Sequence, residues 1–209
     1  MFFPSVFQNT GNSFFIFSSP VSMTAYLITV IPQIIFIIWV LKIKNYSTAK
    51  AGLVKIKYSA IPAALFFAAL LLLFSASFMA IYNMFFPPGG EISSVTASKE
   101  AAAMIRGKYS LIPLHLIVSV STGYREEFFF RSYLLNAINS NGKYIVPVIT
   151  SSLMFSVCHI YQGSAGIIFA FTGSIILSII FLKNRNIHIN ALSHAFFNFF
   201  VIISYLFSA

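Results

Sequence analysis

The chain has few charged residues, and the shortage is greatest among the acidic ones. Only 8% of its 209 residues are charged, and the four acidic residues are all glutamates because the sequence contains no aspartate. This absence excludes a site built on two aspartates that share a proton. The single cysteine, Cys158, excludes an internal disulfide.

What the chain has instead is hydrophobic sequence. Hydrophobic residues make up 58% of it, and its mean hydropathy is +0.88, which is typical of an integral membrane protein. The net charge of +9 could suggest nucleic acid, but the Lys and Arg residues lie in loops between apolar runs, as membrane topology requires. We therefore expect a lipid bilayer as the surroundings and no nucleic-acid partner.

The apolar runs predict an all-α fold, a polytopic membrane helix bundle of about six transmembrane helices around an intramembrane polar cavity. We treat residues 1–209 as a single membrane domain. A small-residue stripe at Gly166, Ala170, Ser174 and Ser178 predicts close helix packing in the fifth span. The predicted spans cover about residues 21–41, 59–86, 109–138, 144–161, 165–182 and 187–207, with a turn at 162–164 between the fourth and fifth.

Two of the four glutamates, Glu126 and Glu127, stand side by side inside the third hydrophobic segment. An ionised carboxylate in an apolar solvent costs roughly 3 kcal/mol on insertion scales, so the pair needs a structural or chemical reason. In a helix Glu127 and Arg131 are four residues apart and can form an ion pair. Glu126 is turned about 100° away and has no predicted partner within that turn.

The other polar residues within the spans can reach the same depth as Glu126. If the third segment is one long helix from Tyr109 to Ile138, Glu126 lies roughly 18 Å above its inner end at 1.5 Å per residue. On the same scale His159 lies roughly 22 Å above the start of the fourth span, and His194 and Asn198 roughly 10 and 16 Å above the start of the sixth. All four can line one cavity, and the long third helix is part of that prediction.

These residue types suit the activation of water. A carboxylate in a dry pocket can take a proton from water, and a neighbouring histidine can share that role. A second histidine and an asparagine amide are donors suited to a developing oxyanion. The same glutamate and histidines could instead hold zinc, although the H-E-x-x-H signature is absent.

Three motifs occur in order: Glu126-Glu127-x-x-x-Arg131, Phe155-x-x-x-His159 and His194-x-x-x-Asn198. Together they resemble the CPBP family of intramembrane proteases, also called the Abi family, which contains type II CAAX prenyl endopeptidases and bacteriocin-processing or immunity proteins. The resemblance covers about Leu111 to Phe200. It implies variable N-terminal spans in residues 1–108 and a catalytic core in 109–207.

The resemblance also implies a role for each motif residue. Glu126 resembles the residue that activates water, with His159 beside it, and Glu127 and Arg131 resemble supporting residues. His194 and Asn198 resemble the oxyanion side of the site. Both a zinc-dependent mechanism, with Glu126, His159 and His194 as ligands, and a metal-free glutamate mechanism are compatible with the family. We favour the second, which requires no cofactor. Ser132 departs from the family pattern, since a glycine often follows the motif arginine.

Two functions follow as expectations. The first is an endopeptidase that cleaves a peptide or membrane-protein substrate, in an integral membrane protein of the bacterial cytoplasmic membrane. The second is a non-catalytic membrane protein, such as a bacteriocin immunity or secretion accessory factor. The complete motif set favours the first, because a binding protein has no need of Glu126, His159, His194 and Asn198 together.

The distribution of basic residues predicts the orientation. The loops at 42–57, 139–143 and 183–186 carry Lys or Arg without acidic residues, so the positive-inside rule places them in the cytoplasm. Single cysteines at these loops, introduced on a Cys158→Ala background, should resist a membrane-impermeant thiol reagent in intact cells. Labelling of a cysteine at position 50 would contradict this orientation.

Overall fold

The computed structural model describes residues 19–86, 103, 106–138 and 143–207. This part of the chain contains six helices and no strand, so the predicted all-α fold is confirmed. The third helix, α3, is α-helical over Ile112–Glu127, π-helical over Phe128–Leu134 and α-helical again over Leu135–Ile138. The others are α1 Pro20–Ile43, α2 Ala60–Phe85, α4 Ile145–Val157, α5 Gly163–Asn184 and α6 Ile187–Leu206.

Four helical segments are long and apolar enough to cross a membrane, and the protein is a polytopic helix bundle. They are Pro20–Ile43, Ala60–Phe85, Ile160–Asn184 and Ile187–Leu206. α1 shows why a bilayer suits the outer surface: Ile35, Phe36 and Trp39 are all more than half exposed. Such a surface is stable against lipid and unfavourable in water.

The long third helix is confirmed. A 3₁₀ turn at Tyr109–Leu111 leads directly into α3, which continues without a break to Ile138. α3 packs against α1 on one side and α6 on another, so its charged residues lie inside the bundle. This continuity holds Glu126 away from either end of the helix.

The fourth span was predicted too long. Residues 144–161 were expected to form one helix, but α4 ends at Val157 and a 3₁₀ turn, Ile160–Gln162, joins it to α5. Gly163, expected in a turn, begins α5 and has a φ of +73°. At 1.5 Å per residue the 13 residues of α4 span about 20 Å, less than the roughly 30 Å hydrocarbon core.

The connection between α1 and α2 is fixed to the end of the bundle by hydrogen bonds to its carbonyl groups. Ser132 Oγ donates to Ala51 O (2.7 Å), and Asn136 Nδ2 donates to Lys50 O (3.0 Å). His188 Nε2 contacts Val54 O at 2.9 Å. Ser132 therefore uses its hydroxyl to attach this connection to α3, a contact that a glycine could not make.

The basic connections lie at one end of the molecule, as the predicted orientation requires. Arg185, between α5 and α6, donates to Lys50 O at 3.4 Å and to the hydroxyl of Tyr144 at 2.6 Å. Tyr144 immediately precedes α4. The connections before α2, before α4 and before α6 thus share one face; residues 139–142 of the predicted turn lie outside the described part.

Close approach of α3 and α6 depends on Gly123. A Cβ atom built at this position would lie 2.5 Å from the carbonyl oxygen of Ala191 and 3.1 Å from the Cβ of Ala195. The obstacle is backbone, which cannot rotate away as a side chain can. A larger residue would therefore force the two helices apart.

Gly123→Ala should destabilise the protein by about 1–3 kcal/mol, the usual cost of overpacking. The matched control is Gly173→Ala on α5, where a Cβ would meet nothing within 4 Å. Thermal unfolding in detergent should show a lower midpoint for the first variant and no loss for the second. Equal midpoints would contradict the close packing at Gly123.

Candidate functional site

The acidic pair and Arg131 lie on α3, in the interior of the bundle. Glu127 and Arg131 are fully buried, with 0% of each side chain exposed, and Arg131 Nη1 lies 3.0 Å from Glu127 Oε1. This is the ion pair that the four-residue spacing predicted. Because both groups are removed from water, each needs further hydrogen bonds to compensate for lost hydration.

Glu127 receives those bonds from α6. The Nδ1 atom of His194 lies 3.0 Å from Glu127 Oε1. Asn190 Nδ2 donates to Glu127 Oε2 at 3.3 Å and to the carbonyl oxygen of Leu177 at 2.7 Å. Glu127 is thus surrounded by nitrogen atoms from two helices.

Arg131 is held from α5. Its Nη2 atom donates to the carbonyl oxygen of Ser174 at 3.1 Å and to the Ser174 hydroxyl at 2.9 Å. The guanidinium also lies over the ring of Phe155, 5.0 Å from its centroid. The small-residue stripe of α5 therefore does more than permit close packing, because Ser174 supplies the acceptors for Arg131.

Glu126 has a local partner, contrary to expectation. Arg125 Nη2 donates to Glu126 Oε1 at 2.6 Å, and both side chains are less than a tenth exposed. The helix-face argument considered only neighbours one turn away and overlooked the reach of the adjacent arginine. The guanidinium of Arg125 also lies over the ring of Tyr26 on α1, at 5.6 Å from its centroid.

His194 connects the two glutamates. Its Nε2 atom lies 3.7 Å from Glu126 Oε2, whereas its Nδ1 atom is hydrogen-bonded to Glu127. The first distance is too long for a direct hydrogen bond. The imidazole therefore lies between a carboxylate that it binds and one that it only faces.

His159 lies in the short connection after α4 rather than within the helix. Its Nδ1 atom is 2.8 Å from the carbonyl oxygen of Phe155, and the two rings are 4.5 Å apart. The Phe155 ring is in turn 6.0 Å from that of His194. Because the Phe155 ring also lies under the Arg131 guanidinium, the second motif adjoins the first.

Asn198 lies one turn beyond His194 on α6 and is partly exposed. Its amide makes no hydrogen bond to another described residue. Hydrogen bonds thus join Glu127 to Arg131 and His194, Glu126 faces the same imidazole, and His159 adjoins this group through Phe155. Asn198 shares a helix face with His194 but forms no hydrogen bond to it.

Zinc coordination would require Glu126, His159 and His194 to converge on one point. Within the described part of the chain, which includes Glu126, His159 and His194, no three His, Cys, Asp or Glu side chains form a group that could hold a metal ion. Glu126 Oε1 is occupied by Arg125, and His194 Nδ1 by Glu127. The described side chains therefore form no three-residue group for a metal ion, and we route no chemical step through a metal.

A π-helical turn follows the acidic pair directly, and sequence reasoning did not predict it. In this wider turn several backbone carbonyl groups accept hydrogen bonds from side chains. Ser151 Oγ donates to Phe130 O (3.1 Å), and Asn136 Nδ2 donates to Ser132 O (2.9 Å) and Arg131 O (3.2 Å). Such turns occur mostly as single insertions in α-helices, often at functional sites.

Sequence reasoning also missed Asn190, although a signal for it was present. It lies four residues before His194, as Asn198 lies four residues after, so all three share one face of α6. Arg125 was visible as the neighbour of Glu126. Tyr26 on α1 carried no signal, because only the packing of α1 on α3 brings it to Arg125.

The chain resembles one known protein family over its C-terminal half. Residues 108–200 match the family model described as "Type II CAAX prenyl endopeptidase Rce1-like". The resemblance inferred from the three motifs is confirmed over this part of the chain. The match covers a little less than half of the sequence and includes all six motif residues proposed for the site. No curated protein and no solved structure matches the chain significantly.

The two glutamates should differ in their effect on stability. Glu127→Gln would present an amide, with one acceptor oxygen, to three buried nitrogen groups that surround the carboxylate. We expect a loss of about 3 kcal/mol, close to the lower end for breaking a buried pair. Glu126→Gln retains an acceptor for Arg125 and should cost about 1 kcal/mol.

Thermal unfolding and folded yield in detergent measure this difference, with each variant as the control for the other. Equal losses would mean that Glu126 is as structural as Glu127. The roles within the pair would then have to be reassigned.

Proposed function

We propose that the protein is an intramembrane endopeptidase that hydrolyses a peptide bond with water activated by Glu126. One observation carries the proposal. Glu126 Oε2 and His194 Nε2 face each other at 3.7 Å, and both side chains are nearly but not fully buried. Glu126 Oε2 therefore accepts no hydrogen bond from another described residue, which leaves it available to a water molecule. The family match at residues 108–200 supports the same reaction class.

In the proposed reaction the water oxygen forms a bond to the carbonyl carbon while one water proton passes to Glu126 Oε2. The carbonyl electron pair moves onto oxygen, which becomes an oxyanion. When the oxyanion collapses, the C–N bond breaks and Glu126 returns the proton to the leaving amine. The products are a carboxyl terminus and an amino terminus, and Glu126 is regenerated.

The surrounding residues have distinct proposed roles. Arg125 holds Glu126 Oε1 and so leaves Oε2 to face the water. Asn198, with its amide unoccupied by other described residues, is suited to donate to the oxyanion. His159 has its Nδ1 atom on the Phe155 carbonyl, so its Nε2 atom is left to assist with substrate or water.

The substrate is proposed to be a peptide or a membrane protein that reaches the site from the bilayer. The matching family is described by action on prenylated CAAX sequences, so a farnesylated peptide of that kind is one probe. We propose the bacterial cytoplasmic membrane as the location.

The experiment compares wild-type protein and Glu126→Gln in lipid nanodiscs. Each is incubated with a farnesylated CAAX peptide and with a diverse peptide library, and new termini are identified by mass spectrometry. Wild-type protein should generate termini that Glu126→Gln generates at least about a hundredfold more slowly, since removal of a general base has effects of this size.

Two controls sharpen the result. Gly173→Ala, which alters no site residue, should cleave like wild type. Preincubation with a chelator should leave cleavage unchanged under the metal-free mechanism, whereas chelator-sensitive cleavage with about one equivalent of bound zinc would overturn it. Termini made equally by wild type and Glu126→Gln, or by neither, would contradict the proposed activity and favour a non-catalytic role.

A further inference from the structure

The hydrogen bonds around Glu127 determine which nitrogen of His194 carries a proton. A neutral imidazole has one N–H donor and one acceptor nitrogen, and the partner of one nitrogen decides the state of the other. In His194 the two nitrogens face different carboxylates, at 3.0 Å from Glu127 and 3.7 Å from Glu126.

Glu127 can act only as an acceptor here. The guanidinium of Arg131 contains no acceptor atom, so its Nη1 donates to Glu127 Oε1. The Asn190 amide faces the Leu177 carbonyl oxygen, which only accepts, so the group shared with Glu127 Oε2 is the NH₂. Because an ionised carboxylate has no proton to donate, His194 Nδ1 must be the donor in its hydrogen bond to Glu127.

The charges of the cluster favour a neutral His194. Arg125 is paired with Glu126, and Arg131 is paired with Glu127, so the two cations already balance the two carboxylates. An imidazolium would add an uncompensated positive charge to a group of side chains that are all less than a tenth exposed. Such a charge is costly away from water.

We infer that Glu127, held by Arg131 and Asn190, fixes His194 as the neutral Nδ1–H tautomer, so that His194 Nε2 is an acceptor facing Glu126. This inference deepens the proposed function, on which its catalytic meaning rests. Asn190 is thereby assigned as a positioning residue, because it orients Glu127 and does not itself face Glu126.

The assignment changes the role expected for His194. A histidine with an unprotonated Nε2 cannot donate to an oxyanion from that atom in the resting enzyme. It can instead accept a hydrogen bond from a water molecule or from a substrate N–H group. Because His194 Nε2 and Glu126 Oε2 would both be acceptors, they form no direct hydrogen bond and lie 3.7 Å apart. The oxyanion donor is then left to Asn198.

The test is nuclear magnetic resonance of wild-type protein with ¹⁵N-labelled histidine rings in nanodiscs. The chain has four histidines, and loss of signals in His194→Gln assigns the pair of interest. We expect a protonated-type Nδ1 signal and an unprotonated-type Nε2 signal. An Nε2–H tautomer, or two protonated nitrogens, would overturn the inference.

His188 provides an internal control, because its hydrogen bonds predict the other tautomer. Its Nε2 lies 2.9 Å from the Val54 carbonyl oxygen, and its Nδ1 lies 3.0 Å from the hydroxyl of Tyr124. Because the carbonyl only accepts, His188 should be protonated at Nε2 and should show the reverse pattern. The two histidines can therefore be compared within one spectrum.

Two further measurements test whether Glu127 is the residue that fixes the His194 tautomer. Dipolar recoupling between ¹³C-labelled glutamate carboxyl groups and His194 ¹⁵Nδ1 in wild type should detect a carboxyl carbon at hydrogen-bonding range. Absence of that coupling would overturn the inference without any variant at position 127. In Glu127→Met/Arg131→Met, which removes both charges together, the two His194 signals should converge as the tautomers exchange.

An unchanged Nδ1–H tautomer in the folded double variant would also overturn the inference. Neither spectrum depends on cleavage. If the protein has the Nδ1–H tautomer but cleaves nothing, the proposed protease activity is wrong and the hydrogen-bond assignment stands. If it cleaves peptides but has the Nε2–H tautomer, the proposed activity stands and the hydrogen-bond assignment is wrong.

Discussion

The structure depends on one buried ion pair, Glu127 with Arg131. Two ionised groups with no exposed surface lose their hydration, and the attraction between them compensates for this only when their remaining hydrogen-bonding groups are also satisfied. Here Ser174 from α5 binds the arginine, and Asn190 and His194 from α6 bind the glutamate. These contacts are short-range and directional, so they determine the positions of three helices relative to one another far more strictly than contacts between apolar side chains in a bilayer.

That constraint explains several features that otherwise look unrelated. α6 must approach α3 closely for its side chains to reach Glu127, and Gly123 permits this because any Cβ there would collide with the backbone at Ala191. Position 174 must be small and carry an acceptor, which serine satisfies. The π-helical turn contains Arg131 itself, and its freed carbonyl groups are satisfied by Ser151 and Asn136. Asn136 also binds the connection after α1, which extends the same network to the end of the bundle.

The sequence allowed the fold class, the long third helix and the Glu127–Arg131 pair to be predicted, because each depends on local periodicity or on spacing within one helix. The predictions were wrong where tertiary contacts determine the end of a helix, or where an adjacent residue supplies the partner of a side chain. α4 is shorter than its apolar run, since hydropathy does not show where a helix turns towards its neighbour, and His159 consequently lies beyond its end. Glu126 was assigned no partner because the helix-face rule ignores the adjacent Arg125. Tyr26 and Ser174 reach the site only through packing between helices, which spacing within one segment cannot reveal.

Glu126 and Glu127 are adjacent residues of the same type, but their surroundings differ. Glu127 is completely enclosed, and each of its oxygens accepts at least one hydrogen bond, so neither water nor substrate reaches it. Glu126 has one oxygen bound to Arg125 and the other facing His194 across a gap of 3.7 Å. The rotation of about 100° between neighbouring helical residues separates these environments. One carboxylate thus stabilises the helices and the imidazole, and the other is left available for chemistry, because a single side chain could not meet both requirements.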